Sequence, residues 1–204
     1  GGQISGRRNL VINGAMMVAQ RGTSTTGLQN SGGVFTIDRF PYRRYGTWSN
    51  ALFKHEQVNS GTGLFKKALK VTTTTAEGSA TSGDKTVMIG HYLEAQDSIA
   101  AFGDGTAEAK SFTVSFYVKA SIATTYSLHL STGHLATEKL YVAPFTVNSA
   151  STWERKTITF PAITNSISTV DGSDTSSGLK FHWVLDAATG SNSANTYVNY
   201  TSGD

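Results

Sequence analysis

The stretch SFTVSFYVKA, residues 111–120, decides the fold class. Every second residue in it is a large apolar one, the set being Phe112, Val114, Phe116 and Val118. Successive side chains of an extended strand point to opposite faces, so these four share one face, whereas helical spacing would scatter them around the cylinder. The residues are also of the β-branched and aromatic types that suit a half-buried sheet. The stretch therefore predicts a central β-strand with one buried face.

Other stretches alternate in the same way, among them residues 35–40 and 125–130. In residues 179–185 the alternation puts Leu179, Phe181, Trp183 and Leu185 on the core face. About ten such strands joined by Ser-, Gly- and Thr-rich connections are typical of a two-sheet antiparallel sandwich. The prediction is an all-β fold of the jelly-roll type, with at most one short helix near residues 94–102.

Composition limits the class of protein. The 204 residues are enough for one large domain, and 15% of them are charged. Cysteine is absent, which excludes disulfides and thiolate metal sites. No apolar run approaches the ~20 residues of a membrane helix, so membrane insertion is not expected. Residues 1–8 form a predicted linker, and residues 9–204 a single domain.

Positive charge is concentrated in the first third of the chain. Residues 1–70 hold ten Lys and Arg against two Asp and Glu. A basic region can indicate a nucleic-acid partner, but these arginines occur singly or in pairs and not in a long tract. The pattern disfavours nucleic acid, and an acidic surface on a neighbouring subunit explains the bias as well.

Motifs for catalysis and for cofactors are missing from the sequence. There is no Gly-x-Ser-x-Gly, no phosphate-binding loop, no His-Glu-x-x-His and no dinucleotide motif. Glu94 with Asp97, or Glu138 with Glu154, are carboxylate pairs of the type that glycosidases use, but sequence does not show their separation. We expect no enzyme activity and no cofactor. The loop Asp171-Gly172-Ser173-Asp174 could supply oxygen ligands to a structural calcium ion, with a solvated turn as the simpler interpretation.

The segment 41–48 is the densest mixture of arginine and aromatic residues in the chain. Its candidate ligand-binding residues are Tyr42, Arg43, Tyr45 and Trp48. Aromatic faces and guanidinium planes can stack on a sugar or a base. The alternative is that these rings cap one end of the β core.

A second candidate site lies on the predicted strands themselves. Alternation puts Tyr117, His129 and His182 on the face opposite the core, together with Lys119 and Lys180. Phenol, imidazole and ammonium groups on an exposed sheet face can hydrogen-bond sugar hydroxyls. The sequence thus offers two candidate binding sites and does not choose between them.

An ordered set of motifs resembles a known family. The motifs are RNLVINGAM (8–16), QRGT (20–23), FTIDRF (35–40), FTVSFYVKAS (112–121) and TWERKTITFPA (152–162). The set resembles a family of bacteriophage tail-fibre and related virion domains, and is similar to jelly rolls of carbohydrate-binding modules. Two departures are Phe40, where relatives have Trp, and the absence after Tyr200 of a closing strand like ITGVQLEVG. The domain is therefore expected to lack its last strand, whether by truncation or because another chain completes the sheet.

The resemblance implies a non-catalytic structural and adhesion domain of a phage virion, in a tail fibre. Its expected partners are other virion proteins, further copies of this chain (a trimer is favoured) and a host surface glycan. The alternative is a capsid or tail decoration and assembly scaffold that binds only protein. A depolymerase accessory domain is a third hypothesis, and it would require a paired-carboxylate cleft.

Overall fold

The computed structural model describes residues 9–29, 33–46, 48–77, 86–132, 138–164, 177–187 and 197–199. These residues contain eleven β-strands and one α-helix. The elements are β1 (Ser24–Leu28), β2 (Tyr42–Tyr45), β3 (Leu52–Asn59), β4 (Lys67–Thr75), β5 (Thr86–Glu94), α1 (Ala95–Phe102), β6 (Phe112–Val118), β7 (Thr125–Thr132), β8 (Lys139–Thr146), β9 (Glu154–Phe160), β10 (Ser177–Ala187) and β11 (Tyr197–Asn199).

One layer is a six-stranded sheet in the order β11-β8-β7-β10-β5-β2, in which every paired neighbour is antiparallel. Pro144 lies in β8, outside residues 139–141, the part of that strand that pairs with the described residues of β11. Among the described residues, the proline therefore has no strand partner on the β11 side, as expected for a residue without an N–H donor.

The second layer consists of two smaller antiparallel sheets, β1-β3-β4 and β6-β9. Each sheet covers a different part of the six-stranded sheet. The strands β6 and β9 pack on β7, β8 and β10 through a cluster that includes Phe112, Phe160 and Phe181. The strands β1 and β3 pack on β2 and β5 through a cluster that includes Phe53 and Tyr42. The protein is therefore an all-β sandwich, as predicted.

Trp183 on β10 joins the two clusters. It is partly buried and packs against both of them. Its ring centroid lies 5.7 Å from that of Phe116 in one cluster and 6.4 Å from that of Phe40 in the other. Aromatic pairs at such distances add to the stabilisation from burial alone. The two core clusters are thus connected through the Trp183 side chain.

The single helix of the described residues lies where the sequence predicts it. It ends at Gly103, whose φ of 64° is the left-handed conformation that favours glycine at a helix C-terminus. The helix packs directly on β10 at Gly178, where a Cβ atom would lie 2.6 Å from the Cα atom of Ala95. A glycine at this position is therefore required for the close approach of helix and strand.

Three details differ from the sequence analysis. The strand β6 is not central in its sheet, since β9 is its one hydrogen-bonded neighbour among the described strands. Periodicity reports which face of a strand is buried and not how many neighbours the strand has. Leu185 is 37% exposed, because the register with β5 shifts between Val184 and Asp186 and interrupts the alternation. Residues 35–40 form bends and turns instead of a strand, although Ile37 is fully buried.

Several predictions fall outside the described residues, namely the linker 1–8, the loop Asp171–Asp174 and the chain end after Asn199. The jelly-roll connectivity also stays a prediction. Within the described ranges, no helix is both long and apolar enough to cross a bilayer.

Candidate functional site

The candidate site lies on the outer face of the six-stranded sheet, the face turned away from the two core clusters. Directly opposed residues on antiparallel strands share a face. Arg43 on β2 is opposite Met88 on β5. Further along the sheet, Gly90 on β5 is opposite His182 on β10, and His182 is opposite His129 on β7. The register therefore brings side chains from four strands onto one surface.

A hydrogen-bonded chain crosses this surface. The Nε–H group of Arg43 donates to the Tyr92 hydroxyl oxygen at 3.0 Å, and the same oxygen lies 3.3 Å from Nε2 of His182. The rings of Tyr92 and His182 meet edge to face with centroids 5.5 Å apart. We refer to Arg43, Tyr92, His182 and His129 as the outer-face row. The row joins parts of both sites that the sequence suggested separately.

Gly90 leaves room for the Tyr92 ring. The two residues are two apart on β5 and so share the outer face. A Cβ atom on Gly90 would lie 3.1 Å from both Cε1 and the hydroxyl oxygen of Tyr92, and 3.2 Å from Cγ of Pro41. The ring therefore lies over the strand at the position where another residue would place its side chain.

Both histidines of the row are neutral at pH 7. Burial, with smaller contributions from the nearby His129, Lys180 and Arg43, lowers the pKa of His182 to about 3. Burial alone lowers the pKa of His129 to about 4, and its Nε2 atom lies 3.0 Å from the hydroxyl oxygen of Ser127. A neutral imidazole has one donor and one acceptor nitrogen. The row thus combines one cation with groups that both donate and accept hydrogen bonds.

A cavity of about 290 Å³ opens at the end of the row. Its walls come from the segment before β2, from β2 and from β5; the lining residues are Gly33, Val34, Arg39, Pro41, Arg43 and Tyr92. The segment is held to the sheet by two hydrogen bonds between the backbones of Gly33 and Tyr42, of 3.1 and 2.9 Å. This cavity is small for a ligand pocket, for which ~300–1,000 Å³ is usual.

The segment 41–48 divides between the two faces of β2. Tyr42 points into the core, where it is fully buried and its pKa is raised to about 12 by burial. The prediction of a ligand contact is therefore wrong for Tyr42, since no ligand can reach its ring. The reason is the strand alternation itself, which puts Tyr42 and Arg43 on opposite faces.

Trp48 and Tyr45 behave differently from each other. The Trp48 indole N–H donates to the carbonyl oxygen of Tyr45 at 2.7 Å, and its ring lies 4.8 Å from Cζ of Arg44 and 5.8 Å from the ring of Phe53. Trp48 thus caps one end of the core, the alternative that the sequence left open. Tyr45 is 50% exposed and lies on the outer face with Arg43, so its role as a ligand contact stays a prediction.

Tyr117 lies on the other layer of the sandwich. It is 41% exposed on the outer face of β6, and its ring centroid lies 5.3 Å from that of Phe65. Phe65 in turn contacts Trp153, whose indole N–H donates to the backbone oxygen of Ser60 at 2.8 Å. The structure therefore does not bring Tyr117 together with the outer-face row.

Two residues of the site, Tyr92 and Arg39, were missed by the sequence analysis. Tyr92 is 49 positions from Arg43 and 90 from His182, so its contacts depend on sheet order, which no local pattern reports. The available signal was the alternation of residues 87–93, which puts Gly90 and Tyr92 on the face opposite Val87, Ile89 and Leu93. Arg39 appeared only as a member of a motif.

Of the two carboxylate pairs that the sequence suggested for catalysis, Glu138 and Glu154 lie in different layers, whereas Glu94 and Asp97 both lie at the N-terminus of α1. Glu138 pairs with Lys180 at 3.1 Å. Glu154 pairs with Lys156 at 2.6 Å and accepts the backbone N–H groups of residues 148 and 149. Glu94 lies 3.6 Å from the Arg39 guanidinium, and Asp97 lies in the first turn of α1. Across the described ranges, no cluster of three His, Asp or Glu side chains is suited to a metal ion.

Comparison with models of known protein families, with curated proteins and with solved structures finds no match for this chain. The resemblance to phage tail-fibre domains therefore stays a prediction. What the chain does has to be inferred from the geometry of the outer-face row and its cavity.

Proposed function

We propose that this chain is a non-catalytic structural and adhesion domain of a bacteriophage virion, in a tail fibre, and that its outer-face row contacts a host surface glycan. One observation carries the glycan contact: the hydrogen-bonded series from Arg43 through Tyr92 to His182 beside an open cavity. The virion assignment is supported by the ordered sequence motifs that resemble tail-fibre domains.

The chemistry of the row suits a sugar. Glycans present hydroxyl groups that donate and accept hydrogen bonds, together with apolar faces of C–H groups. The neutral imidazoles of His182 and His129 match the hydroxyl groups, and the Tyr92 ring offers an aromatic surface. The row itself contains no carboxylate, which supports binding without hydrolysis.

The test is binding to an array of bacterial O-antigen and capsule oligosaccharides. We expect Tyr92→Ala and His182→Ala each to weaken binding by about tenfold, the equivalent of one lost aromatic contact or one lost hydrogen bond. Tyr117→Ala is the matched control, because Tyr117 is an exposed aromatic residue on the other layer. Loss of binding in Tyr117→Ala with normal binding in Tyr92→Ala would move the site to β6 and contradict the proposal.

A second candidate function, a scaffold that binds only protein, is favoured by a separate observation. Three apolar side chains near the start of the described chain are about half exposed, namely Ile12, Met17 and Val18. The loop that carries them is tied down, since the Asn13 side chain donates to the backbone oxygens of Val18 and Asp38 at 2.9 Å. Exposed apolar groups on an ordered loop are typical of protein contacts.

The protein-only scaffold predicts a change in oligomeric state and no binding of oligosaccharides. Met17→Ser combined with Val18→Ser would shift the oligomeric state measured by light scattering, while oligosaccharide binding would be absent from the wild-type chain. A wild-type chain that binds oligosaccharides and keeps its oligomeric state in the double variant would exclude the protein-only scaffold.

A further inference from the structure

The cavity beside the outer-face row is rich in positive charge. Arg39 and Arg43 both line it, one from the turn before β2 and the other from β2 itself. The neighbouring carboxylate is Glu94, 3.6 Å from Nη2 of Arg39. Both side chains of that pair are substantially exposed, at 46% and 36%, and exposed ion pairs of this kind are weak. The cavity therefore has two cations and one loosely held acid.

Among the described residues, the Arg43 guanidinium has one hydrogen-bond partner, the Tyr92 hydroxyl oxygen. Its Nε–H group is used by Tyr92, which fixes the plane of the guanidinium. Among the described residues, no hydrogen-bond acceptor or carboxylate pairs with its terminal Nη1 and Nη2 atoms. A guanidinium presents its donors in a fixed fork that matches a carboxylate or a phosphate. Within the described part of the chain, the outer ends of this fork are therefore available to an anionic group in the cavity.

The backbone at Arg39 is held in an unusual conformation. Its φ is 71°, in the left-handed region that residues other than glycine rarely adopt. The ring of His91, buried in the core, donates from Nδ1 to the Arg39 carbonyl oxygen at 3.2 Å. A contact from a buried group holds the turn and thereby presents the Arg39 side chain to the cavity.

The rest of the cavity wall is apolar or aromatic. Val34 and Pro41 contribute apolar surface, and Tyr92 lines the cavity with its hydroxyl oxygen 3.3 Å from Nε2 of the neutral His182. The combination of two guanidiniums with an apolar and aromatic wall distinguishes this cavity from a site for a free inorganic anion, which needs only charge and donors. It suits a sugar ring that carries an acidic substituent.

We infer that the cavity binds an anionic sugar residue, a uronic acid or a sugar phosphate, with the acidic group on Arg39 and Arg43 and the ring against Tyr92 and Pro41. The inference rests on the proposed glycan contact and specifies the chemical class of the glycan that is bound. The host glycan recognised is then an acidic polysaccharide, and neutral oligosaccharides bind less tightly.

The test uses one array that holds three groups of oligosaccharides: fragments with uronic acids, fragments with sugar phosphates, and neutral fragments. Uronic-acid fragments are also presented as methyl esters, which keep the ring and remove the charge. The variants are Arg39→Gln, Arg43→Gln and Arg43→Lys, with Arg155→Gln as the matched control, since Arg155 is exposed on β9 in the other layer. Thermal melting of each variant checks that it is folded.

We expect the wild-type chain and Arg155→Gln to prefer acidic fragments by about tenfold or more over neutral fragments and methyl esters, as for a charge-assisted contact. Arg39→Gln and Arg43→Gln should lose this preference, and Arg43→Lys should keep part of it, because a lysine retains the charge without the fork. Preference for phosphate over uronic acid would support the inference and identify the acidic group.

Two outcomes would overturn the inference, and they differ in what else they affect. If fragments bind but acidic and neutral ones bind equally, or if Arg39→Gln and Arg43→Gln keep the acidic preference, the inference fails while the glycan contact stands. If no fragment binds to the wild-type chain, the proposed glycan contact fails and the inference fails with it.

Discussion

Arg43 and Arg44 are neighbours in sequence and each lies beside an aromatic ring, but they face opposite sides of β2. Arg44 is 6% exposed, donates to the backbone oxygen of Ala51 at 3.1 Å and to that of Gln29, and has its Cζ atom 4.8 Å from the Trp48 ring. The Nη1 group of Arg44 thus donates to the protein's own backbone. Arg44 therefore serves to join the segments on either side of β2.

Arg43 has one hydrogen bond to a side chain and none to the backbone among the described residues. Its Cζ atom lies 5.8 Å from the centroid of the Tyr92 ring, and the residue lines the cavity. The comparison shows that residue type does not decide whether an arginine is structural or available to a ligand. The face of the strand decides it, and the predictions below test this difference.

The largest expected effect is on stability when Arg44 is replaced. Arg44→Ala leaves two backbone oxygens without their donor, so we expect the free energy of unfolding to fall by about 3 kcal/mol. Arg43→Ala is the control, with an expected loss of about 1 kcal/mol or less, since one partly exposed hydrogen bond is removed. Urea unfolding of both variants measures the difference. Equal losses would contradict the assignment of the two arginines to different roles.

The second prediction concerns a histidine that faces the inner side of β2. His55 is fully buried, its ring centroid lies 6.3 Å from that of Tyr42, and burial lowers its pKa to about 4. Between pH 6.5 and 4 the unfolded chain binds a proton at this residue and the folded chain does not, so stability falls as the pH falls. We expect His55 to account for a loss of about 2 kcal/mol between pH 7 and pH 5.

Urea unfolding at pH 7, 6 and 5 measures this effect in the wild-type chain and in His55→Gln. The variant loses the close contact of His55 Nδ1 with the Thr36 hydroxyl at 2.6 Å, so it is less stable at pH 7. Its stability should nevertheless depend less on pH, and the two curves should approach each other toward pH 5. Parallel curves would show that His55 is not a neutral core group.

The smallest expected stability effect, and the sharpest test of the outer face, comes from Gly90→Ala. The added Cβ atom would press on the Tyr92 ring at 3.1 Å, so the ring must shift by a few tenths of an ångström, which disturbs its contacts with Arg43 and His182. We expect a loss of about 1 kcal/mol in stability, because a side-chain ring can adjust, and a larger loss in oligosaccharide binding.

Gly178→Ala is the matched glycine control for that experiment. Its Cβ atom would meet the backbone of α1, with 2.6 Å to Cα of Ala95, so it should lower stability by more and leave the outer-face row intact. If Gly178→Ala impaired oligosaccharide binding as much as Gly90→Ala, loss of stability and not displacement of Tyr92 would explain both results.

The sequence was sufficient for the layered β fold and for part of the site, because both depend on local periodicity. The same alternation that places Phe112 and Phe116 in the core places Arg43 and His182 on the outer face. Tyr42 was assigned to the site by its closeness in sequence to Arg43, although alternation separates the two. Applying the strand period within the segment 41–48 would have corrected it.

The remaining parts of the site depend on long-range geometry. The contact between Arg43 and Tyr92 requires β2 to lie beside β5, and the contact between Tyr92 and His182 requires β5 to lie beside β10. Strand order is set by the packing of the whole chain and leaves no local pattern. The bulge that exposes Leu185 likewise cannot be predicted from the alternation of apolar residues. One extra residue in a strand moves every later side chain to the opposite face of the sheet.

The division of the second layer into two sheets has a mechanical consequence. Each of the two small sheets covers its own part of the shared six-stranded sheet, and Trp183 packs against both of the core clusters that lie between the layers. A fold built in this way can open on one side while the other side remains closed, as cooperative units of unequal stability do. A pull on the chain would then be absorbed in two separate steps, with one indole ring linking the first to the second.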